Sequence, residues 1–235
     1  MPRSALVLFS GGQDSTTCLF WALAPAPLGG GFERVEALGF DYGQKHAVEI
    51  GQARRIAEAA GVPFALKDLG GLLAGSSLTE HDRDSRDAHD LAPGLPASFV
   101  PGRNALFLTA AAAHGFLAGI HDLVGGMCQT DASGYPDCRL GFVESQARTL
   151  SLALDVDVRV HTPLMTRTKA ETWKLARDLG TVRGLDVLET VREMSHTDYN
   201  GDRTERHAWG YGKLDNPASV LRAEGYAEAE AKGWV

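Results

Sequence analysis

Seven residues, Ser10-Gly11-Gly12-Gln13-Asp14-Ser15-Thr16, follow directly on the apolar run 5–9. Glycines let a backbone approach a ligand closely. A helix starting behind them turns unpaired N–H groups and a positive dipole end toward it. Ser10, Ser15 and Thr16 add hydroxyl donors. The set suits a phosphate, and Asp14 fits beside one only if it holds a cation or caps the helix. The spacing is neither Gly-x4-Gly-Lys-[Ser/Thr] nor Gly-x-Gly-x-x-Gly. A lone Ser-Gly-Gly would be a tight turn with a Ser or Asp cap; the whole string behind a strand favours a phosphate site.

Three other segments carry groups able to bind. Phe40-Asp41-Tyr42-Gly43-Gln44-Lys45-His46 ends a second apolar run. It is either a turn with a surface Lys-His or the lining of an adenosine site, which its place beside the first loop in a parallel sheet favours. Phe99-Val100-Pro101-Gly102-Arg103-Asn104 contains a Pro-Gly turn with Asn104 as a helix cap. Arg103 at that helix mouth could instead hold a carboxylate or phosphate through its planar fork. Residues 125–139 are rich in turn formers and include Gln129, Asp131, Tyr135 and Asp137, groups able to read a heterocycle. Such a loop is solvent-facing filler unless it follows a strand end, as it does here.

These segments need a scaffold. Residues 5–9, 35–40, 63–69, 122–126 and 156–162 read as strands. Residues 15–23, 47–60, 104–118, 138–152 and 168–179 read as helices, the last with Thr168 as N-cap. The alternation predicts an α/β fold, a Rossmann-like parallel sheet with helices on both faces. Ligands then bind beyond the C-terminal strand ends, where the four segments lie. The polar stretch 70–101 is long for a connection and reads as a lid or a partly disordered loop. From Thr190 onward the alternation fails. The division expected is 1–189 as the main domain carrying these segments and 190–235 as a short irregular C-terminal appendix.

Composition narrows the function. Hydrophobic residues at 44% and charged residues at 23% of 235 exclude disorder as the main state. A net charge of −7 argues against long nucleic acid as a partner, yet permits a small anion held by backbone amides. Cys18, Cys128 and Cys138 are odd in number and form no Cys-x-x-Cys pair, which predicts no disulfide scaffold and a reducing cytoplasm. No run approaches the length of a membrane span, so no membrane partner is expected.

Residues 10–16 resemble the PP-loop of the ATP pyrophosphatases, which cleave ATP between its α- and β-phosphates. Across nearly the whole chain the segments resemble the 7-cyano-7-deazaguanine synthase family of queuosine and deazapurine biosynthesis. The likeness rests on Phe40-Asp41-Tyr42-Gly43-Gln44, Phe99-Val100-Pro101-Gly102-Arg103-Asn104, Thr130-Asp131 and Ser133-Gly134-Tyr135-Pro136-Asp137-Cys138-Arg139. It continues through Thr162-Pro163-Leu164-Met165, Lys169-Ala170-Glu171-Thr172-Trp173, Tyr199-Asn200-Gly201-Asp202 and Leu221-Arg222-Ala223. The resemblance implies an adenine nucleotide alpha-hydrolase-like fold. It also implies an ATP-dependent ligase joining ammonia to 7-carboxy-7-deazaguanine, through an acyl-adenylate and an amide, to give the nitrile. ATP and Mg²⁺ are the implied cofactors. Phe9, Ser10, Gly11, Gly12, Gln13, Asp14, Ser15 and Thr16, with Phe40, Tyr42 and Gln44, are the expected ATP-binding residues. Arg103, Asn104, Gln129, Asp131, Tyr135 and Asp137 are expected on the deazaguanine acid, and Asp14, Ser15 and Lys169 in catalysis.

One departure stands out. The family carries a zinc site of four cysteines in its C-terminal part. The matching positions here are Asp198, Lys213, Asn216 and Ser219. None is a thiolate, and structural zinc takes Cys or His. No zinc is therefore expected; the other options are a replacement set from His196, Asp198 and His207, or an Asp198–Lys213 ion pair in place of the metal clip. The departure opens two further readings. One is a paralogue that adenylates the same or a related acid and stops at the amide or passes it to another amine acceptor, with a protein partner. The other is a non-catalytic scaffold binding ATP or the base, against which the intact loop, Arg103 and Lys169 argue. A homodimer is compatible with everything above.

Overall fold

The first strand, β1 (Ser4–Leu8), is apolar at every position after Ser4 because both its faces are covered. Ala5 and Val7 point to one layer and Leu6 to the other, the period of two that a strand imposes. In this computed structural model, which describes residues 2–44, 48–73, 78–79, 94–129, 134–198 and 201–235, β1 sits at the centre of a five-stranded parallel sheet. Its other strands are β2 (Arg34–Asp41), β3 (Phe64–Asp68), β4 (Asp122–Val124) and β5 (Arg159–His161), in the order β3-β2-β1-β4-β5.

The helices α1 (Gln13–Leu23), α2 (Val48–Ala59) and α5 (Lys169–Leu179) cover one face. The helices α3 (Arg103–Ala118) and α4 (Leu140–Leu154) cover the other. The strands and helices expected from hydrophobic pattern are all present, with ends shifted by a few residues. Thr168 caps α5 as expected. Its hydroxyl accepts from the Glu171 amide at 3.2 Å and Glu171 accepts from the Thr168 amide at 2.8 Å, a reciprocal capping box. Asn104, expected to cap α3, does not. The helix opens one residue earlier, behind Gly102 in the left-handed region, and the Asn104 amide is satisfied across space by Asp137 Oδ2 at 3.0 Å. The expected helix 138–152 is broken at Arg139: a single 3₁₀ turn, Pro136–Cys138, precedes α4.

A small hairpin of β6 (Thr181–Val182) and β7 (Leu185–Asp186) leads into α6 (Val187–Met194). The division drawn at residue 190 from composition falls within this helix. A second hairpin, β8 (Arg206–His207) and β9 (Gly210–Tyr211), precedes α7 (Pro217–Ala231). The segment read as irregular thus ends in a 15-residue helix. Its apolar positions are mostly alanine, with little amphipathic signal. Val187, Val191, Trp209, Tyr226 and Ala229 belong to the same buried cluster as Ala5, Val7 and Trp173. Trp173 Nε1 donates to the Arg222 carbonyl at 3.2 Å, and the Trp173 and Tyr226 rings meet edge to face at 5.2 Å.

Arg222 anchors this corner. It is fully buried, and its guanidinium donates to the carbonyls of Trp209 (3.1 Å) and Val191 (2.9 Å) and to the hydroxyls of Ser195 and Thr197 (both 2.9 Å). Burial pulls its pKa down to about 9. No helix among the described residues is long and apolar enough to cross a membrane.

Candidate active site

The strand order reverses between β1 and β4, so their C-terminal ends open a crevice. The loop 10–16 leaves β1 there. Gly11 has φ +81°, and a Cβ on it would lie 2.6 Å from the Ala53 amide nitrogen, so only glycine lets α2 pack on the loop. From the β4 side Gly126 closes on Asp14; a Cβ at Gly126 would come within 3.2 Å of the Asp14 Cβ. Ser10 and Ser15 share a hydrogen bond at 3.1 Å, and the Gly12 amide donates to Ser10 Oγ at 3.3 Å. Gly12 is the N-cap of α1 and supplies no side-chain acceptor, so the helix mouth is left for an anion.

A cavity of about 690 Å³ opens over this loop. Of the expected ATP residues, Phe9, Ser10, Gly12, Gln13, Asp14, Ser15, Phe40, Tyr42 and Gln44 line it. Gly11 and Thr16 lie behind the wall, Gly11 beneath α2 and Thr16 fully buried. Phe40 stacks on Phe107 with ring centroids 4.4 Å apart. Gln44 folds back on the end of β2, accepting from the Tyr42 amide at 2.9 Å and donating to the Phe40 carbonyl at 3.2 Å. Lys45 and His46 lie outside the described residues.

Lys169, the first residue of α5, reaches across the crevice to Asp14, Nζ to Oδ2 at 2.7 Å. Two of the three residues expected in catalysis, 155 positions apart, therefore form one ion pair. Asp14 Oδ1 has no partner. Cys18 lies beneath them, and burial together with Asp14 pushes its thiol pKa well up, which suits a packing role rather than a nucleophile.

The expected substrate residues divide. Arg103, Asn104 and Tyr135 line the cavity. The Arg103 guanidinium lies 5.9 Å from the Tyr135 ring centroid, and the Tyr135 hydroxyl is 2.7 Å from Ser98 Oγ. Asn104 also braces the loop, its side chain donating to the Asp137 carbonyl at 3.2 Å and to Cys138 Sγ at 3.3 Å. Asp137 is held by the Asn104 amide, and Gln129 accepts from the Leu140 amide at 3.3 Å; neither lines the cavity. Asp131 lies outside the described residues.

Glu49, Ser98 and the first turn of α7 line the wall with no local signal in the sequence, and His196 and Asp198, weighed there only as metal ligands, line it too, with Thr197 between them. The His196 amide donates to the Gly11 carbonyl at 2.9 Å, strapping the C-terminal segment onto the loop. Its Nε2 faces the Asp198 carbonyl at 2.9 Å, and its Nδ1 has no partner. Burial, with Arg203 second, lowers the His196 pKa to about 4, so the ring is neutral. Among the described residues the buried side-chain N and O atoms without a partner are five, on Gln13, Asp14, Thr16 and His196. Buried polar atoms are nearly always hydrogen-bonded, and the exceptions here gather at one loop.

The family described as "Queuosine biosynthesis protein QueC" matches residues 4–230. The chain belongs to the QueC family. A 7-cyano-7-deazaguanine synthase 1 of Rhodopseudomonas palustris is 49% identical over 236 residues, covering 96% of this chain and 94% of its own. The 7-cyano-7-deazaguanine synthase of Alkalilimnicola ehrlichii is 47% identical over 237 residues, covering 95% and 94%.

The positions at which the QueC resemblance implies zinc do come together, but they close on each other. Asp198 Oδ2 accepts from the Lys213 amide at 2.8 Å and from Ser219 Oγ at 3.3 Å. Asn216 caps α7, accepting from the Ser219 amide at 3.0 Å and donating to Ser219 Oγ at 3.2 Å. The Asp198–Lys213 ion pair, one of the options open from the sequence, is not formed: the Lys213 ammonium turns to Asp202 at 2.6 Å. Nor do His196 and His207 converge. His207 Nε2 faces the Gly212 carbonyl at 3.1 Å and its ring stacks on Trp209. Among the described residues no group of three or more His, Cys, Asp or Glu could hold a metal ion. A hydroxyl, an amide, a carboxylate and an averted ammonium do not fit zinc.

Proposed function

We propose that this QueC-family chain converts 7-carboxy-7-deazaguanine and ammonia to 7-cyano-7-deazaguanine at the expense of ATP. The observation that carries the reading is the cluster of unpartnered polar atoms on Gln13, Asp14 and His196, all in the cavity wall, around an uncapped helix mouth. Relatives 47–49% identical over nearly their full length, named for the nitrile synthase, support that product over an amide or a conjugate.

A carboxylate resists attack by ammonia because its oxygens are poor leaving groups. Its attack on the α-phosphorus breaks the bond to the bridging oxygen and releases pyrophosphate. The N–H groups of loop 10–16 hold the departing charge, and the Lys169 ammonium adds a cation beside it. Mg²⁺, when bound, offsets phosphate charge; Asp14 Oδ1 and the hydroxyls of Ser10 and Ser15 are the oxygens placed to take part. Ammonia then attacks the acyl carbon, loses a proton, and AMP leaves with the carboxyl oxygen. Repeating the activation on the amide oxygen and expelling AMP and a proton leaves the nitrile. Arg103, Asn104 and Tyr135 form the substrate end of the cavity. Residues 1–189 supply the loop and Lys169, and 190–235 complete the wall. The protein works in the cytoplasm on small molecules, without zinc.

The test is AMP release from ATP and 7-carboxy-7-deazaguanine, with and without ammonia, and identification of the product. Two AMP per nitrile is the expected result. Accumulation of amide as the final product would overturn it.

A further inference from the structure

Glu49 is a carboxylate to which nothing above gives a task. It stands in the first turn of α2, partly buried in the cavity wall, where the helix packs on Gly11. It makes no hydrogen bond or ion pair among the described residues. Among the described residues Arg103 and Tyr42 are the charged and titratable groups facing it. An unpaired carboxylate facing a phosphate-binding cavity repels the nucleotide and costs stability, because burial disfavours its charge. Burial raises its pKa to about 7, only partly offset by Arg103. A fold retains such a group without loss when a ligand completes it.

A guanine-type ring is the ligand whose edge fits. Along that edge run the O6 acceptor, the N1–H donor and the exocyclic 2-amino donor. Two parallel N–H groups match two carboxylate oxygens, and the neighbouring O6 needs a donor beside them. Adenine offers an acceptor and a single donor there, so the same carboxylate discriminates against it. We propose that Glu49 reads N1–H and the 2-amino group of the deazaguanine base, with Arg103 at its side donating to O6. The aromatic rings of Tyr42, Phe107 and Tyr135 in the same wall supply flat surfaces for the bicycle.

This rests on the function proposed above, and the experiment separates the two. Binding and turnover of 7-carboxy-7-deazaguanine are measured for the wild type and Glu49→Gln, beside the analogue lacking the 2-amino group. A bidentate contact of this kind discriminates by about 1–3 kcal/mol, or roughly 5–150-fold. The wild type should lose that factor in kcat/KM on the analogue. Glu49→Gln should lose it on the natural acid and distinguish the two bases far less, with the KM for ATP and the Mg²⁺ requirement unchanged. A melting temperature at pH 8 no lower than that of the wild type shows that the variant is folded. Unchanged kcat/KM in Glu49→Gln, equal use of both bases by the wild type, or a rise confined to the KM for ATP or to the Mg²⁺ demand would each overturn the role of Glu49. If the wild type binds the acid and rejects the analogue without turnover, and Glu49→Gln loses that discrimination in binding, the proposed function falls and the reading of Glu49 stands. Neither binding nor turnover refutes both.

Discussion

Two buried polar regions lie side by side and are built by opposite rules. Around the loop 10–16, Gln13, Asp14, Thr16 and His196 keep side-chain atoms with no partner. A few residues along the strap, Asp198, Asn216, Ser219 and Arg222 are as deeply buried, and none has a buried side-chain atom unpartnered. Unsatisfied polar atoms cost stability, so they persist where a ligand supplies the missing bond. Satisfied ones set geometry. The pairing of polar atoms therefore separates a site that waits for a ligand from a joint that holds the chain.

The largest effect should come from breaking the joint. Arg222→Ala leaves two carbonyls and two hydroxyls without their donor and a void between Trp173 and Trp209. Unfolding in urea should show a loss of about 3–5 kcal/mol; a loss below about 1 kcal/mol would mean that water replaces the guanidinium. Breaking the site should do the reverse. Asp14→Ala should lower AMP formation by roughly 10²–10³-fold with the melting temperature nearly unchanged. Full turnover at saturating Mg²⁺ would remove Asp14 from the chemistry.

Protonation sharpens the contrast. His196 has a folded pKa of about 4 against an ordinary 6.5. The unfolded chain then binds more protons between these values, so stability falls as pH drops from 6.5 to 4. Glu49, raised to about 7 from 4.5, has the opposite sign: its contribution falls as pH rises through that window. His196→Gln should flatten the acid limb of a stability–pH curve and Glu49→Gln the neutral limb, by about 1–3 kcal/mol each. Curves superimposable on the wild type would show that neither group is held as described.

The smallest effects concern the polar knot. Asp198→Ala leaves the Lys213 amide and the Ser219 hydroxyl without their acceptor, for a loss of about 1–3 kcal/mol in urea melts. Chelation by EDTA should leave the melting temperature of the wild type where it was. One zinc per chain by elemental analysis, with a large drop on chelation, would show that a metal organises this region after all.

The sequence by itself determined the sheet, the loop and the family. Apolar runs of strand length, a glycine string behind the first of them and Thr168 three residues before Glu171 are local patterns whose physics needs no partner. The motif residues Asp14, Lys169, Arg103 and Tyr135 were equally legible. The tertiary structure alone decided what depends on close approach between distant segments. It pairs Asp14 with Lys169 and caps α3 from Asp137. It sends the Lys213 ammonium to Asp202 rather than Asp198, because the backbone amide and Ser219 already satisfy that carboxylate. Glu49 and His196 follow the same logic. A glutamate in a helix and a histidine before a turn are ordinary in one dimension. Their meaning comes from the wall that α2 and the strap form over Gly11, where an unpaired polar atom facing the cavity becomes costly.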